Sequence, residues 1–282
     1  MKALSYITLF IISLIVYGCD TMVTNVTPPQ VDPELVIYGF ISPDEPDIVI
    51  EVRRSMPIWS GGQLGNDTIA NATVLLTDGT NQVQLPHQGG GRYSIRTSEY
   101  PLLPGGTYYL NVSTQEGEQA NGQTTIPVEQ VPIDSVVISK QPGPFGFTLD
   151  LINVYWRHTL AEKRFFQLFA SVKLSDDDSL FSGFGSFGIH NEVLNSDQAV
   201  NGRITNTFST SIGGGGEADS ISLNIYLAHT DEAYYRYHLL RLGYSPSNPF
   251  REPTIMFENM TGARGVFASY RFYRYEMKLV GE

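Results

Sequence analysis

The chain is almost free of cysteine, since Cys19 is the only one among its 282 residues. One cysteine cannot form an intrachain disulfide, and once its thiol is acylated no thiol remains for a thiolate zinc site or an iron–sulfur cluster. If the thiol of Cys19 is itself acylated, a cysteine nucleophile is excluded too. The fold must therefore be held together by its apolar core.

Charged residues are also scarce, and basic residues are fewer than acidic ones. Lys and Arg number 18 against 29 Asp and Glu, and charged residues make up 17% of the chain. Removal of residues 1–18 would take away Lys2 and leave a net charge of 17 − 29 = −12. Binding of nucleic acid or anionic lipid needs clustered Lys and Arg. We therefore expect no nucleic-acid partner and no attachment to membranes by charge.

No apolar run is long enough to span a bilayer. The most apolar stretch, Leu4–Tyr17, follows Lys2 and is shorter than the roughly 20 residues that a membrane-spanning helix needs. A basic start, an apolar segment and a small residue before the break are typical of a secretory signal peptide. Gly18 then precedes Cys19 as in a bacterial lipobox, whose cysteine is acylated. We predict a signal peptide over residues 1–18 and lipid attachment at Cys19; the alternative is an ordinary signal peptide with an incidental cysteine.

The rest of the chain has the pattern of a β protein. Residues 19–33 are polar and rich in proline, which predicts an extended spacer behind the lipid. Short runs such as Leu35–Tyr38, Ile48–Val52 and Thr107–Val112 then alternate with turn signals. This spacing predicts an immunoglobulin-like or transthyretin-like β-sandwich over residues 34–127.

Prolines at positions 127 and 132 indicate a domain boundary. Beyond it, residues 131–282 are predicted to form a second antiparallel β domain, either a sandwich or a barrel. One α-helix is predicted over residues 231–242, with Thr230 or Asp231 as its N-cap and Gly243 at its end. The fold class is therefore mainly β with one helix in the C-terminal half.

The motifs that would indicate chemistry are incomplete. Gly183–Gly188 matches G-x-G-x-x-G, but the parallel sheet and following helix of a dinucleotide site are not predicted. Asp176–Asp178 lacks the alternating donors of a calcium loop, and the five histidines lack the spacing of a helical zinc site. His229 and His238 bracket the start of the predicted helix and are near enough in sequence to meet in space. We predict no cofactor, no metal, no catalytic residue and no enzymatic activity.

One long polar insert separates two of the predicted strands. Residues 55–71 contain three glycines and Trp59, which is one of two tryptophans in the chain. Functional contacts concentrate in such loops. Trp59 is therefore a candidate contact for a ligand or partner, and the alternative is that it folds back as a lid on the edge of the sandwich.

The C-terminal third resembles a known family. The resemblance rests on Tyr234–Tyr237, on the block Asn248–Pro253 and on the early segment Leu35–Ile41. From about Pro33 to the C-terminus the chain is similar to the Bacteroidota envelope lipoproteins catalogued as domain of unknown function 4249. The further matching residues are Asn259, Gly262, Gly265, Phe267 and Tyr270.

This resemblance implies a lipid-anchored outer-membrane protein, often encoded beside a TonB-dependent transporter, and it implies no catalytic residues. It leads to the hypothesis of a non-enzymatic accessory or substrate-capturing partner of such a transporter. A structural or adhesion module, binding envelope proteins or glycan through Trp59, is the first alternative. A hydrolase that depends on His229 or His238 is the second.

Overall fold

The computed structural model describes residues 32–56, 67–143, 148–158, 162–174, 187–210, 221–243 and 255–279. Cys19, Trp59 and the block Asn248–Pro253 lie outside these ranges, as do the predicted signal peptide and most of the predicted spacer. The predictions made for them therefore stay predictions.

Within the described ranges the chain forms fifteen strands and one α-helix. The first eight strands are β1 (Leu35–Ile41), β2 (Asp47–Arg54), β3 (Thr73–Thr77), β4 (Gln82–Leu85), β5 (His87–Gly89), β6 (Arg92–Arg96), β7 (Thr107–Ser113) and β8 (Gln119–Thr125). The remaining elements are β9 (Ile133–Pro142), β10 (Thr148–Arg157), β11 (Phe165–Leu174), β12 (Phe187–Asn195), β13 (Arg203–Thr210), β14 (Ile221–Thr230), α1 (Glu232–Gly243) and β15 (Arg264–Leu279).

The N-terminal half is a β-sandwich, as the sequence predicts. One layer is a four-stranded sheet in the order β4-β3-β7-β8, and the other contains β1, β2, β6 and β5. Residues alternate between core and surface because successive side chains of a strand point to opposite faces. Along β3, for example, Val74 and Leu76 are buried and their neighbours are not. The core between the layers also contains Ile37, Leu110 and Phe267.

The C-terminal half is a second sandwich. A three-stranded sheet, β13-β10-β9, packs on the part of the large sheet formed by β12, β11, β14 and β15. Trp156 and Phe166 are fully buried between the layers, with their ring centroids 5.8 Å apart. In the described ranges β12 and β13 share no backbone pairing, and a side-chain hydrogen bond from Asn206 to Glu192 (2.7 Å) links them. Of the two predicted alternatives, these residues form a sandwich and not a closed barrel.

Strand β15 belongs to both sandwiches. Its residues Arg264–Ser269 pair in parallel with β1, and residues 270–279 pair antiparallel with β14. The large sheet is therefore continuous over eight strands, in the order β12-β11-β14-β15-β1-β2-β6-β5. The predicted boundary at residues 127–131 did not anticipate this shared strand, because a pairing between the two ends of the chain leaves no local sequence signal.

Helix α1 lies on the face of the large sheet that is opposite the two cores. Its observed range, Glu232–Gly243, agrees with the prediction to within one residue at each end. Tyr234 and Tyr237 pack on Val266 and Ala268 of β15 and on Tyr38 and Phe40 of β1. None of the helices in the described ranges is both long and apolar enough to cross a membrane.

The matching residues near the C-terminus have structural roles. The side-chain amide of Asn259 donates to the carbonyl of Phe267 (2.8 Å) and accepts from its N–H (2.9 Å), as a neighbouring strand would. Phe267 is fully buried, and Tyr270 donates to Glu45 (3.0 Å). These side chains therefore fix the place of β15 in the sheet.

Candidate functional site

A cleft of about 700 Å³ opens where the chain passes from the first sandwich to the second. We call it the junction cleft. The linker after β8, the start of β11, the end of β14 and the start of α1 form its walls. Its lining residues are Gly105, Thr125–Glu129, Glu162–Phe165 and His229–Glu232.

Charged side chains of both signs line the junction cleft. Arg164 pairs with Glu129 across it (Nη1 to Oε2, 3.0 Å), and Lys163 pairs with Asp197 (Nζ to Oδ2, 2.7 Å). Glu129, Lys163 and Asp197 are solvent-exposed, and ion pairs with exposed members contribute little to stability. These groups can therefore exchange their present partners for charged or polar groups of a ligand at small cost.

His229 is the histidine that faces the junction cleft. Its Nδ1 lies 2.9 Å from the backbone carbonyl of Glu129. Because a carbonyl only accepts, we assign the proton to Nδ1, which leaves Nε2 as the basic nitrogen. Burial lowers the pKa of His229, and the charge of Arg164 acts in the same direction. Burial therefore favours the neutral imidazole, against the smaller opposite effect of the hydrogen bond to Glu129.

His238, the other histidine near the start of the helix, lies away from the junction cleft. His238 is buried under α1 against the rings of Tyr234 (4.2 Å between centroids) and Phe40 (5.1 Å). Burial lowers the pKa of His238 to about 4, with a smaller contribution from Arg241. His229 instead approaches Phe166 on the inner face of the sheet. The two histidines do not meet, because β14 and α1 place them on opposite faces of the large sheet.

Asp231 joins three elements beside the junction cleft. Its carboxylate accepts from the N–H of Tyr234 (2.7 Å), which caps α1, and from the N–H of Ser269 (3.1 Å) in β15. It also accepts from the hydroxyl of Thr124 in β8. Burial raises the pKa of Asp231 to about 6 in spite of these hydrogen bonds. The sequence predicted the cap, but it contained no sign of this burial.

The raised pKa of Asp231 predicts a pH dependence of stability. The folded state holds the proton more tightly than the unfolded state, where an aspartic acid titrates near pH 4. The contribution of this group is therefore complete below pH 4 and is lost as the pH rises to about 6. We expect it to lower the free energy of unfolding by roughly 2 kcal/mol over this interval. Urea unfolding at pH 4, 5, 6 and 7 would measure it.

The control for this experiment is Asp231→Asn, which cannot titrate. Carboxylates whose pKa is lowered, such as Asp78 and Glu118, give stability a slope of the opposite sign, and both proteins share it. The difference between the two curves should therefore isolate Asp231. Parallel curves for the wild type and the variant would contradict the assignment.

Little of the junction cleft is visible in the sequence. The prolines at positions 127 and 132 mark the linker that contains Glu129, but nothing in the sequence indicates that Glu129 and His229 lie beside Arg164. The one local sequence signal for this cleft is a linker that is flanked by prolines and carries a charged residue. Of the glycine pattern at Gly183–Gly188, Phe187 and Gly188 lie within the described residues and begin β12.

Several solved structures show weak similarity. The FN1-FN3 domains of chicken CNTN1 align at 13% identity and a TM-score of 0.28, covering 73% of this chain and 64% of that one, which is less than two thirds of its length. A DUF3823 family protein from Bacteroides ovatus aligns at 13% identity and a TM-score of 0.22, covering 70% and 90% of the two chains. Its counterpart from Parabacteroides merdae aligns at 8% identity and a TM-score of 0.22, covering 70% and 92%.

A search of curated proteins finds no match to this chain. The family described as Domain of unknown function (DUF4249) matches residues 21–276, which is most of the sequence. The chain therefore belongs to this family.

Proposed function

We propose that the protein is a non-enzymatic lipoprotein of the outer membrane, which captures a substrate for a TonB-dependent transporter. The observation that carries the proposal is the junction cleft, whose volume of about 700 Å³ is within the range of small-molecule sites. Its charged side chains are paired with exposed partners that a ligand can replace. Such a site suits reversible capture.

The way in which Asp231 is engaged supports the non-enzymatic part of the proposal. Its carboxylate is occupied by donors from three elements. A general base needs a free position within hydrogen-bond reach of a substrate proton, and of Asp231 and His229 only His229 keeps one, at Nε2. In the part of the chain that the structure describes, no group of three His, Cys, Asp or Glu residues is placed to hold a metal ion.

The sequence supports the membrane part of the proposal. The signal-like segment, residues 1–18, ends directly before Cys19, and the polar residues 19–33 supply a spacer. The acidic chain cannot bind anionic lipid by charge, so attachment would depend on the lipid itself. Two or more acyl chains hold a protein stably, whereas one holds it only marginally.

Replacing Cys19 with alanine should release the protein from the membrane. The variant would lose the acylated sulfur, so we expect it to move from the membrane fraction to the soluble fraction almost completely. Fractionation of cells after a high-salt wash would measure this. Thr21→Ala, a neighbouring change that leaves the thiol in place, is the control and should stay with the membrane. A Cys19→Ala variant that remains membrane-bound would contradict lipid attachment.

The transporter partnership is tested by cross-linking in intact cells. The full-length protein carrying a C-terminal tag is captured after cross-linking, and the partners are identified by mass spectrometry. We expect an outer-membrane barrel transporter among the cross-linked species, and a smaller yield from Cys19→Ala because that variant is not held at the membrane. Recovery of the protein alone under every growth condition would count against the partnership.

A further inference from the structure

Two arginines lie directly opposite each other at the end of the three-stranded sheet. Arg157 ends β10 and Arg203 begins β13, and the register of the two strands makes them partners. Like charges placed directly opposite on an antiparallel pair are destabilising. In a chain with 18 basic and 29 acidic residues, this pair is a local concentration of positive charge.

The arginine pair has one nearby carboxylate. Asp134 lies 3.3 Å from Nε of Arg157, whose side chain is 87% exposed. Among the residues that the structure describes, no carboxylate lies within ion-pair distance of Arg203. Its guanidinium lies over the ring of Tyr155, 4.2 Å from the centroid, and Nη2 reaches the hydroxyl of Ser135 at 3.4 Å. Two cations and one anion leave a net charge of +1.

The three charges surround a cavity of about 540 Å³. Its wall is the tight turn Asn201-Gly202, in which both residues have positive φ (53° and 73°). Val200 and Arg203 close this turn with two backbone hydrogen bonds of 2.9 and 3.1 Å. Asn-Gly with two positive φ values is the favoured connection of a two-residue hairpin. Arg203 is therefore fixed by a short turn and by its aromatic neighbour before any ligand arrives.

We propose that this cavity binds the carboxylate of a hydroxylated acid of monosaccharide size, such as a uronic acid. The planar guanidinium fork matches a carboxylate and binds it through paired, charge-assisted hydrogen bonds. The net charge of +1 complements one negative charge. Asp134 accepts hydrogen bonds from hydroxyl groups, and its own charge disfavours polyanions. The cavity shares no lining residue with the junction cleft, so the inference does not depend on the transporter partnership.

Titration calorimetry with glucuronate, glucose and inorganic sulfate tests the proposal. Glucuronate should bind, and glucose, which lacks the carboxylate, should not. Arg157→Gln and Arg203→Gln should each weaken glucuronate binding by about tenfold or more, the loss expected for a charge-assisted hydrogen bond. Arg92→Gln, at an exposed arginine on β6 of the first sandwich, should leave the affinity unchanged.

The variant Asp134→Asn distinguishes the binding of the ligand's hydroxyl groups from the binding of its carboxylate. This variant should lower the affinity for glucuronate relative to that for sulfate, because the neutral amide oxygen is a weaker acceptor for hydroxyl groups than the carboxylate, whereas the loss of a repelling charge favours both anions. Replacing Arg157 removes both its exposed ion pair with Asp134, which contributes little to stability, and its repulsion by Arg203. The melting temperature of Arg157→Gln should therefore not fall, and its binding result can be read without a folding defect. Equal binding of glucose and glucuronate, or full affinity in both arginine variants, would overturn the proposal. Sulfate binding as tight as that of glucuronate would overturn it too.

Discussion

Replacement of Gly265 by alanine should lower the free energy of unfolding by about 4 kcal/mol or more, or should prevent folding altogether. A Cβ atom at this position would lie 1.9 Å from the carbonyl oxygen of Ile37, and Gly265 has a φ of +112°. The backbone of β1 cannot withdraw, because its other edge is paired with β2. The parallel contact between β1 and β15 would therefore open. Denaturant unfolding of purified protein would measure the loss.

A second glycine, Gly79, distinguishes the cost of the steric clash from the cost of the strained backbone conformation. Gly79 also has a positive φ (+89°), but nothing lies within 4 Å of a Cβ built there. Gly79→Ala should therefore cost only the strain of a left-handed residue, about 1 kcal/mol. Losses of similar size at the two positions would contradict the close approach of β15 to β1.

Removal of Arg271 should lower the free energy of unfolding by about 3 kcal/mol, because it leaves a largely buried carboxylate without its counter-charge. Nε of Arg271 lies 2.8 Å from Oδ2 of Asp44, and both side chains are only 13% exposed. The same carboxylate accepts from the N–H of Phe272 (3.0 Å) and from the side-chain amide of Gln130 (2.9 Å). The pair ties the turn between β1 and β2 to β15 and to the linker. Urea unfolding of Arg271→Ala would measure the effect.

A double-mutant cycle assigns that effect to the pair. Asp44→Ala should also be strongly destabilising, and the double variant should lose less than the sum of the single losses, by at least about 1 kcal/mol. The exposed pair of Glu34 and Arg264, at 2.7 Å, is the control, since both side chains are 52% exposed. Glu34→Ala should leave the free energy of unfolding nearly unchanged. Strict additivity of Asp44→Ala and Arg271→Ala would show that the contact contributes nothing.

Local features of the fold could be predicted because each depends on residues that are neighbours in the sequence. The turn at Asp78-Gly79 combines a glycine at positive φ with an aspartate that accepts from the N–H groups of Thr80 and Asn81. The helix has an aspartate at its cap and two tyrosines three residues apart on its buried face. Strand alternation likewise depends on a period of two along the chain.

Features that join distant residues could not be predicted in the same way. The parallel pairing of Val36 with Arg264, the contact of Arg271 with Asp44 and the junction cleft all depend on the three-dimensional path of the chain. His229 and His238 likewise show that closeness in sequence does not predict closeness in space. They are nine positions apart, yet a change from strand to helix places one on each face of the sheet.

Site-specific photo-cross-linking from the rim of the junction cleft provides the sharpest test of capture for a transporter. Val128 lies on this rim and is 68% exposed, whereas Val200 is 72% exposed and does not line the cleft. A photoreactive residue at position 128 of the full-length, membrane-attached protein should cross-link to an outer-membrane barrel, and the same residue at position 200 should not. Equal yields at the two positions, or no cross-link at position 128, would contradict the proposed function.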